Sequence, residues 1–281
     1  MIEYPLVSVL ITSYNREKYI AEAIGSVLSQ SYPNFELIII DDCSIDNTYS
    51  IAKNFQDNRI KLFRNSKNLG QFKNRNLAID YANGKYIKFL DSDDVLLPDA
   101  LLRFTEAMML NEDIMLCVPF RKNSFINNLD VMTSREALMK YYLNMGLQLD
   151  AGPTGVMFKR CAINELRFES HYGINADVMF NLKMACGGLV VALSNNYAFW
   201  RKHPEQIDTQ QKDRIKMIIE RNKINVDFLN YQLNPMTSSE KVRIRKNLLK
   251  INLSNFFGFI IELNFVDAMK TLKIFKSCVC G

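Results

Sequence analysis

The stretch LVSVLITSYNREKYIAEAIGSVLSQSYPNFELIIIDD, at Leu6–Asp42, decides the fold class. Its ends, Leu6–Ser13 and Phe35–Ile40, are short apolar runs typical of buried strands. Between them, Glu17–Gln30 places apolar residues at i, i+3, i+4, i+7 and i+8 from Ile20, the spacing of an amphipathic helix that lies on a sheet. A strand, a helix and a strand in this order predict a parallel pair joined by a helix.

The same alternation continues along the chain. Apolar runs at Ile60–Phe63, Tyr86–Leu90 and Ile114–Val118 are separated by segments that predict helices, one ending near Phe55 and another at Phe72–Tyr81. Repeated strand–helix units predict an α/β fold, with a Rossmann-like, mostly parallel sheet flanked by helices.

Beyond residue 130 the pattern is less regular, but further elements are expected. They are a helix from a capping box at Thr133 to about Leu143, a turn and strand at Gly152–Lys159, a helix at Ala176–Cys186, strands near Leu189–Leu193 and Tyr197–Trp200, and helices at Gln210–Tyr231 and after a second capping box at Thr237. The end of the chain is therefore expected to be a helical appendage.

Length and composition limit the class of protein. With 281 residues, 48% of them hydrophobic and 23% charged, the chain is expected to form one α/β domain of about 200 residues plus an appendage. The six cysteines are scattered without a CxxC pair, and Met1–Pro5 leads directly into the first strand, so reduced thiols and a cytoplasmic location are expected. No run reaches the roughly 18 apolar residues that would span a bilayer.

The positive charge lies in the C-terminal part. Residues 1–200 contain 20 Lys+Arg and 22 Asp+Glu, whereas residues 201–281 contain 15 and 8. Basic side chains in Lys241–Lys250 precede the apolar run Phe256–Ile261, and Lys270, Lys273 and Lys276 follow it. This pattern fits either an interfacial helix pair on a membrane surface or a solvated basic helix followed by one that packs on the α/β domain. The basic residues form no RNA-reading motif, which argues against nucleic-acid binding.

Polar segments follow three of the predicted strands, at Thr12–Arg16, Asp41–Ser44 and Asp91–Asp94. In open α/β sheets, ligands bind beyond the carboxyl ends of the strands, so these side chains are expected to converge on one cleft. Taken alone, the pair Asp41-Asp42 also fits a strand-end turn that caps the next helix.

The triplet Asp91-Ser92-Asp93 is a DXD motif directly after a buried strand. A hard divalent cation would supply the counter-charge, and Mg²⁺ or Mn²⁺ binds few protein carboxylates and completes its shell with water and phosphate oxygens. The other interpretation is an acidic turn that caps the helix at Pro98, although Pro98 and Asp99 already form a helix start.

Four ordered blocks between residues 7 and 98 resemble the nucleotide-binding half of the family 2 glycosyltransferases, which have the GT-A fold. They are Val7–Arg16 (VSVLITSYNR), Phe35–Thr48 (FELIIIDDCSIDNT), Asn68–Ala78 (NLGQFKNRNLA) and Tyr86–Pro98 (YIKFLDSDDVLLP). The resemblance implies a hexosyltransferase-type enzyme of the kind that builds bacterial surface polysaccharides.

The resemblance also implies contacts to the nucleotide. Thr12 and Tyr14 match positions that hold the nucleobase, Tyr14 by stacking, and Asp42 matches the acid that hydrogen-bonds uracil. Asp91 matches the acid near the ribose. A UDP-sugar is therefore the expected donor.

The resemblance extends to the diphosphate and its metal. Asp93 matches the metal ligand, Asp94 shares that role, and His203 resembles a late position that approaches the metal, although a lone histidine is more often structural. Arg75 stands where the family often has an arginine near the donor. Arg75 and Lys73 equally fit an exposed helical face.

The resemblance also implies a general base about 80 residues past the Asp91-Ser92-Asp93 triplet, in a Glu-Asp pair that opens a helix. In Tyr172–Phe180, Asp177 occupies the position of the base, while Ala176 replaces the usual Glu. The other interpretation of Asp177 is a simple acid favoured by the helix dipole. His171 is a weaker site candidate, and Trp200 fits an acceptor contact or a core position.

These assignments together predict an inverting, metal-assisted transfer from a nucleotide-sugar to a glycan or polyisoprenoid-linked hydroxyl. The catalytic domain is expected at residues 1–205, with a nucleotide-sugar-binding half (1–120) and an acceptor half (121–205), followed by a basic helical region (206–281). Peripheral contact with the inner face of the cell membrane is part of this expectation. The alternatives are a nucleotidyltransferase that makes a nucleotide-sugar, disfavoured by the absence of a Gly-rich phosphate loop after the first strand, and a non-catalytic nucleotide-binding relative.

Overall fold

A computed structural model of the chain describes residues 4–120, 129–163, 166–194, 197–203, 214–261 and 269. Within these residues the strands are β1 (Val7–Ser13), β2 (Phe35–Asp41), β3 (Ile60–Arg64), β4 (Tyr86–Asp91), β5 (Val95–Leu96), β6 (Ile114–Pro119), β7 (Asp130–Met132), β8 (Met157–Lys159), β9 (Leu189–Leu193) and β10 (Ala198–Phe199).

The described helices lie between or after these strands. They are α1 (Ile20–Leu28), α2 (Thr48–Lys53), α3 (Gln71–Tyr81), α4 (Ala100–Met108), α5 (Ser134–Tyr142), α6 (Ala176–Ala185), α7 (Arg214–Leu229) and α8 (Ser238–Ile261). Short 3-10 turns cover Pro153–Gly155, Arg160–Ile163 and Ser170–Asn175.

The predicted α/β fold with a mostly parallel sheet is confirmed. Eight strands pair in the order β3-β2-β1-β4-β8-β6-β9-β7, and β5 and β10 form a separate antiparallel pair. The first four strands of the chain are parallel to one another, as is β6 to β9, whereas β7 and β8 run antiparallel to their neighbours. The carboxyl ends of β1, β2 and β4 therefore lie side by side.

Apolar side chains cover both faces of the sheet. Leu10 of β1 belongs to the cluster that includes Ile79 of α3 and Phe180 of α6, whereas Ile11 belongs to the cluster that includes Ile24 of α1. Strands buried on both faces have nearly continuous apolar sequences. This burial explains why the strands of the first half are readable from the sequence.

Helix α1 begins three residues later than the sequence pattern predicts. The Glu17 backbone N–H donates to Asp46 Oδ2 at 3.1 Å, and the Glu17 carboxylate accepts from the Asn47 backbone N–H at 3.0 Å. These bonds tie Glu17 to the start of α2. The first helical bond therefore runs from the Ile20 N–H to the Arg16 carbonyl at 2.9 Å.

The predicted strand at Tyr197–Trp200 is shorter than expected and does not extend the main sheet. Only β10 forms there, and it pairs with β5. The Leu97 N–H donates to the Tyr197 carbonyl at 2.9 Å, which holds this segment against the chain that follows β4. As a result, the residues after β10 lie next to the Asp91–Asp94 turn.

The C-terminal helices pack on α5 and α6. Helix α7 lies against α6, and α8 lies against α5. Arg135 of α5 forms an ion pair with Glu240 of α8 at 2.8 Å. The side-chain amides of Asn222 and Asn252 bond reciprocally at 3.0 and 2.9 Å, which joins α7 to α8.

Parts of the predicted C-terminal region lie outside the described residues. These parts are the start of the helix predicted from Gln210, the boundary near residue 205, and Lys270, Lys273 and Lys276. The domain division therefore stays a prediction. In the part of the chain that is described, no helix has both the length and the apolar character needed to cross a membrane.

Gly84 is expected to tolerate no side chain. A Cβ at this position would lie 2.5 Å from the Ser8 backbone nitrogen and 2.8 Å from the Leu6 carbonyl oxygen. Since these are backbone atoms of β1 and of the residue before it, Gly84→Ala is expected to lower the free energy of unfolding by about 1–3 kcal/mol, as overpacking does elsewhere.

Gly25→Ala is the matched control. A Cβ at Gly25, within α1, meets no atom within 4 Å, and alanine favours the helix by about 0.5–1 kcal/mol. Urea denaturation of both variants measures the contrast. Equal stability of the two variants would contradict the close approach at Gly84.

Candidate active site

A cleft of about 1280 Å³ lies at the carboxyl ends of β1, β2 and β4. It brings together eight predicted site residues: Thr12, Tyr14, Asp42, Arg75, Asp91, Asp93, Asp94 and Asp177. The convergence expected from the polar segments after the strands is therefore confirmed.

Arg75 of α3 joins the two walls of this cleft. Its Nη2 donates to Asp91 Oδ1 at 2.8 Å, and its Nη1 donates to Asp177 Oδ1 at 2.8 Å. The guanidinium also lies 5.9 and 5.7 Å from the ring centres of Phe72 and Phe168. Arg75 is only 7% exposed, so it is not part of a solvated helical face.

Asp177 lies in the first turn of α6 and is one of the two carboxylates that Arg75 contacts. Burial and the nearby charge of Asp91 raise the pKa of Asp177 to about 6, although Arg75 acts in the opposite direction. A carboxylate of this kind is ionised at neutral pH and more basic than an ordinary aspartate. These are the properties of a general base.

The pH dependence of kcat/KM is expected to show an acid limb near pH 6, where Asp177 takes up a proton. Arg75 lowers the pKa of Asp177, so Arg75→Met is expected to raise this pKa and move the limb to higher pH. A pH profile of both proteins measures the shift. A limb that moves to lower pH in the variant would contradict the role given to Asp177.

Asp94 also titrates close to neutrality, so the two carboxylates must be told apart. Burial, with the charges of Asp91 and Asp93, raises the pKa of Asp94 to about 7. Asp94 Oδ1 accepts the Arg201 backbone N–H at 3.1 Å. Because Arg75 contacts Asp177 directly and reaches Asp94 only through Asp91, the limb that belongs to Asp177 is expected to move further in Arg75→Met.

Asp93 carries two partners on one oxygen. Its Oδ2 lies 3.1 Å from Arg16 Nε and 3.0 Å from His203 Nε2. The His203 ring lies 4.6 Å from the Tyr19 ring and is nearly buried. The structure thus brings His203 to the Asp91-Ser92-Asp93 triplet, which is the position that the resemblance implies, and adds Arg16, which the sequence analysis did not single out.

The donor atoms at Asp93 fit a divalent cation bound together with a diphosphate. Among the described residues, no group of three or more His, Cys, Asp or Glu side chains is arranged to hold a metal ion. A carboxylate and an imidazole supply two ligands, and Mg²⁺ or Mn²⁺ readily takes the others from phosphate and water. The roles of Asp93, Asp94 and His203 as ligands stay predictions.

Asp42 accepts three hydrogen bonds from the segment that precedes α3. Its Oδ1 accepts the Leu69 N–H and the Asn65 amide, both at 2.8 Å, and its Oδ2 accepts the Gly70 N–H at 2.9 Å. Gly70 has a φ of 82°, which favours glycine. Asp42 thereby fixes the start of α3 and, through it, Arg75, and its contact with uracil stays a prediction.

The two residues expected to hold the nucleobase line the cleft from β1 and the loop after it. Thr12 lies opposite Ile40 of β2 and Asp91 of β4 in the sheet register. Tyr14 is 42% exposed, so its ring is accessible for stacking. Asn15, next in the chain, has a φ of 52° and accepts the Ile45 N–H, which sets the turn that presents Tyr14.

Of the other candidates from the sequence, Lys73 and His171 lie outside the cleft, and Trp200 lies within it. Lys73 is exposed on α3, and His171 is exposed beside Glu169, so neither lines the cleft. Trp200 is 44% exposed and lines the cleft, so it is not a core residue.

A buried lysine stabilises the segment that contacts the start of the Asp91–Asp94 turn. Lys88 of β4 donates to the carbonyls of Thr154 and Val156, and burial lowers its pKa to about 7. The Thr154 hydroxyl in turn accepts the Asp91 N–H at 2.9 Å. A lysine within an apolar strand sequence was the available signal for this link between the two halves.

Comparison with known proteins now identifies the class. The glycosyl transferase family 2 model matches residues 8–171. The chain belongs to this family and has a GT-A fold. This assignment favours glycosyl transfer over the nucleotidyltransferase alternative.

Two curated relatives, both from Escherichia coli, are named as UDP-Glc:alpha-D-GlcNAc-diphosphoundecaprenol beta-1,3-glucosyltransferases. WfgD is 37% identical over 164 residues, which are 58% of this chain and 64% of WfgD. WfaP is 45% identical over 89 residues, which are 32% of this chain and 36% of WfaP. The matched segments thus span less than two thirds of each relative.

Solved structures share the fold at lower identity. S. aureus TarS 1-349 in complex with UDP-GlcNAc has a TM-score of 0.72 and 21% identity, covering 97% of this chain and 81% of that one. Mannosyltransferase PcManGT from Pyrobaculum calidifontis, in complex with GDP-Man and Mn2+, has a TM-score of 0.60 and 16% identity, covering 100% and 76%.

Proposed function

We propose that this chain is an inverting, metal-assisted glycosyltransferase that moves a hexose from a UDP-sugar to a hydroxyl of a glycan or polyisoprenoid-linked acceptor. The observation that carries the proposal is the pair of 2.8 Å contacts from Arg75 to Asp91 and to Asp177. These contacts hold the Asp177 carboxylate, whose pKa is raised, across the cleft from the Asp91–Asp94 turn. Transfer with inversion needs one such base.

Each group of residues in the cleft has a separate role in the proposed reaction. Asp177 accepts the proton of the attacking hydroxyl, and Arg75 holds its carboxylate in place. Asp93 and His203, with Asp94 close by, would hold Mn²⁺ or Mg²⁺. Such an ion neutralises the charge that develops on the departing diphosphate. Thr12, Tyr14, Asp42 and Asp91 would bind the nucleoside.

The names of relatives support the choice of substrates. The two Escherichia coli relatives are named for a UDP-Glc donor and a diphosphoundecaprenol-linked acceptor, and TarS was solved with UDP-GlcNAc. We extend a UDP-sugar donor and a lipid-linked acceptor to this chain on that basis.

A thermal-shift screen of UDP-, GDP- and TDP-sugars, each with and without Mn²⁺, tests the donor. A ligand that binds the folded state raises the midpoint of unfolding. We expect the largest rise for a UDP-sugar with Mn²⁺, and release of UDP when acceptor is added. Binding of UDP without turnover of any donor would instead indicate the non-catalytic alternative.

We also propose peripheral contact of α8 with the inner face of the cell membrane. Arg243, Lys246 and Lys250 are exposed on this helix, next to the exposed side chain of Val242. Clustered cations attract anionic lipid headgroups. Co-sedimentation with phosphatidylglycerol vesicles should weaken in a variant with all three cations changed to glutamine, and unchanged binding would contradict the contact.

A further inference from the structure

A second cavity, of about 520 Å³, lies between α5, α7 and α8. It adjoins the catalytic cleft, because Asp150, Asn175 and Arg221 line both. Asn175 stands two residues before Asp177, at the start of α6. A ligand that occupies the second cavity can therefore reach the base through this junction.

The described wall of the second cavity is uncharged apart from the junction. There, Arg221 Nη2 and Asp150 Oδ2 pair at 3.1 Å, so their charges offset each other. The rest of the wall combines aromatic and aliphatic side chains with five amides: Asn144, Gln148, Asn222, Asn225 and Asn252. Such a wall suits a neutral ligand that has both apolar faces and hydroxyl groups.

Two side-chain amides of this wall have no hydrogen-bond partner among the described residues. Asn225 is 5% exposed, and its side-chain amide bonds to no residue that the structure describes, as is also the case for Gln148. Buried polar groups are normally hydrogen-bonded, so unpartnered groups in a cavity wall point to a polar ligand.

We propose that the second cavity binds a neutral sugar unit of the acceptor, adjacent to the unit whose hydroxyl faces Asp177. The inference rests on the proposed function and narrows the acceptor to one with at least two sugar units. Sugars present hydroxyls to amides and C–H faces to aromatic rings such as Tyr141 and Tyr142. A prenyl chain would leave the amides unpaired, and a phosphate would lack an unpaired cation in the described wall.

Saturation-transfer NMR on the full chain, with UDP and Mn²⁺ present to fill the donor site, tests the cavity. The probes are the methyl glycosides of glucose, galactose, rhamnose and N-acetylglucosamine, with glucuronic acid and farnesol as charged and lipid comparisons. The variants are Asn225→Leu and Gln148→Leu. Asn54→Leu, which changes an exposed amide on α2's C-terminal side, is the matched control.

We expect at least one neutral glycoside to bind the parent protein and the Asn54→Leu control. Loss of one amide should weaken this binding roughly threefold to tenfold, the effect of one hydrogen bond. The midpoint shift caused by UDP should stay the same in all four proteins.

The inference is overturned if no neutral glycoside binds, if both cavity variants bind the glycoside as tightly as the parent protein, or if farnesol or glucuronic acid is the probe that depends on Asn225. Failure of the proposed function has a different signature, which is the absence of any UDP-induced shift in the parent protein. Since two separate variants are used, misfolding of one of them does not decide the result.

Discussion

Asp177→Asn is expected to lower kcat by roughly two to four orders of magnitude, the usual contribution of a general base. The amide preserves the size of the side chain and its contact with Arg75, but it cannot take up the proton of the acceptor hydroxyl. Arg75 stays paired with Asp91 at 2.8 Å, so the walls of the cleft remain joined. Release of UDP in the presence of acceptor measures the loss.

Two controls separate loss of the base from loss of the fold. Asp113→Asn changes an exposed aspartate before β6 and should leave kcat unchanged. The midpoint shift caused by a UDP-sugar should persist in Asp177→Asn, because the predicted nucleotide contacts lie on the opposite wall. A kcat close to that of the parent protein would falsify the assignment of Asp177.

The first half of the fold was predictable because its elements have simple periodicity. The strands β1, β2 and β4 are buried on both faces, and α1 carries one apolar stripe, so each follows a single physical rule. The position of the cleft then followed from the parallel order of these strands.

For helix α3, by contrast, sequence periodicity did not predict which side chains are buried. Its sequence is polar and has no apolar stripe, which fitted an exposed face as well as a site. Asn74 and Arg75 are nevertheless buried, because Asn74 donates to the Ile40 carbonyl and Arg75 pairs with two carboxylates. One of those carboxylates lies 102 residues away in the chain, and no local pattern reports such a partner.

The surroundings of Asp93 were only partly predictable for the same reason. The triplet and His203 could be singled out by residue type and position, whereas Arg16 follows β1 and pairs with Asp93 across 77 residues. The Arg201 backbone reaches Asp94 only because β10 pairs with β5 instead of joining the main sheet. The second cavity likewise depends on how α7 and α8 pack on α5.

Asp93→Asn is expected to remove the dependence of the enzyme on Mn²⁺ or Mg²⁺ and to lower kcat by about a hundredfold or more, as loss of charge stabilisation does in other active sites. The amide keeps the shape of the turn but loses the charge that attracts the cation. Mn²⁺ should then add nothing to the midpoint shift caused by UDP. A full Mn²⁺ effect in this variant would exclude Asp93 as a ligand.

Arg16→Met is the matched comparison, because it removes one of the two partners of Asp93 and leaves the carboxylate itself. Arg16 Nε lies 3.1 Å from Asp93 Oδ2, so a cation held by Asp93 would compete with the guanidinium for this carboxylate. Calorimetric titration with Mn²⁺ in the presence of UDP should therefore show equal or tighter binding in Arg16→Met and none in Asp93→Asn. Weaker binding in Arg16→Met would mean that Arg16 helps to hold the diphosphate with the metal, since loss of a competitor cannot reduce affinity.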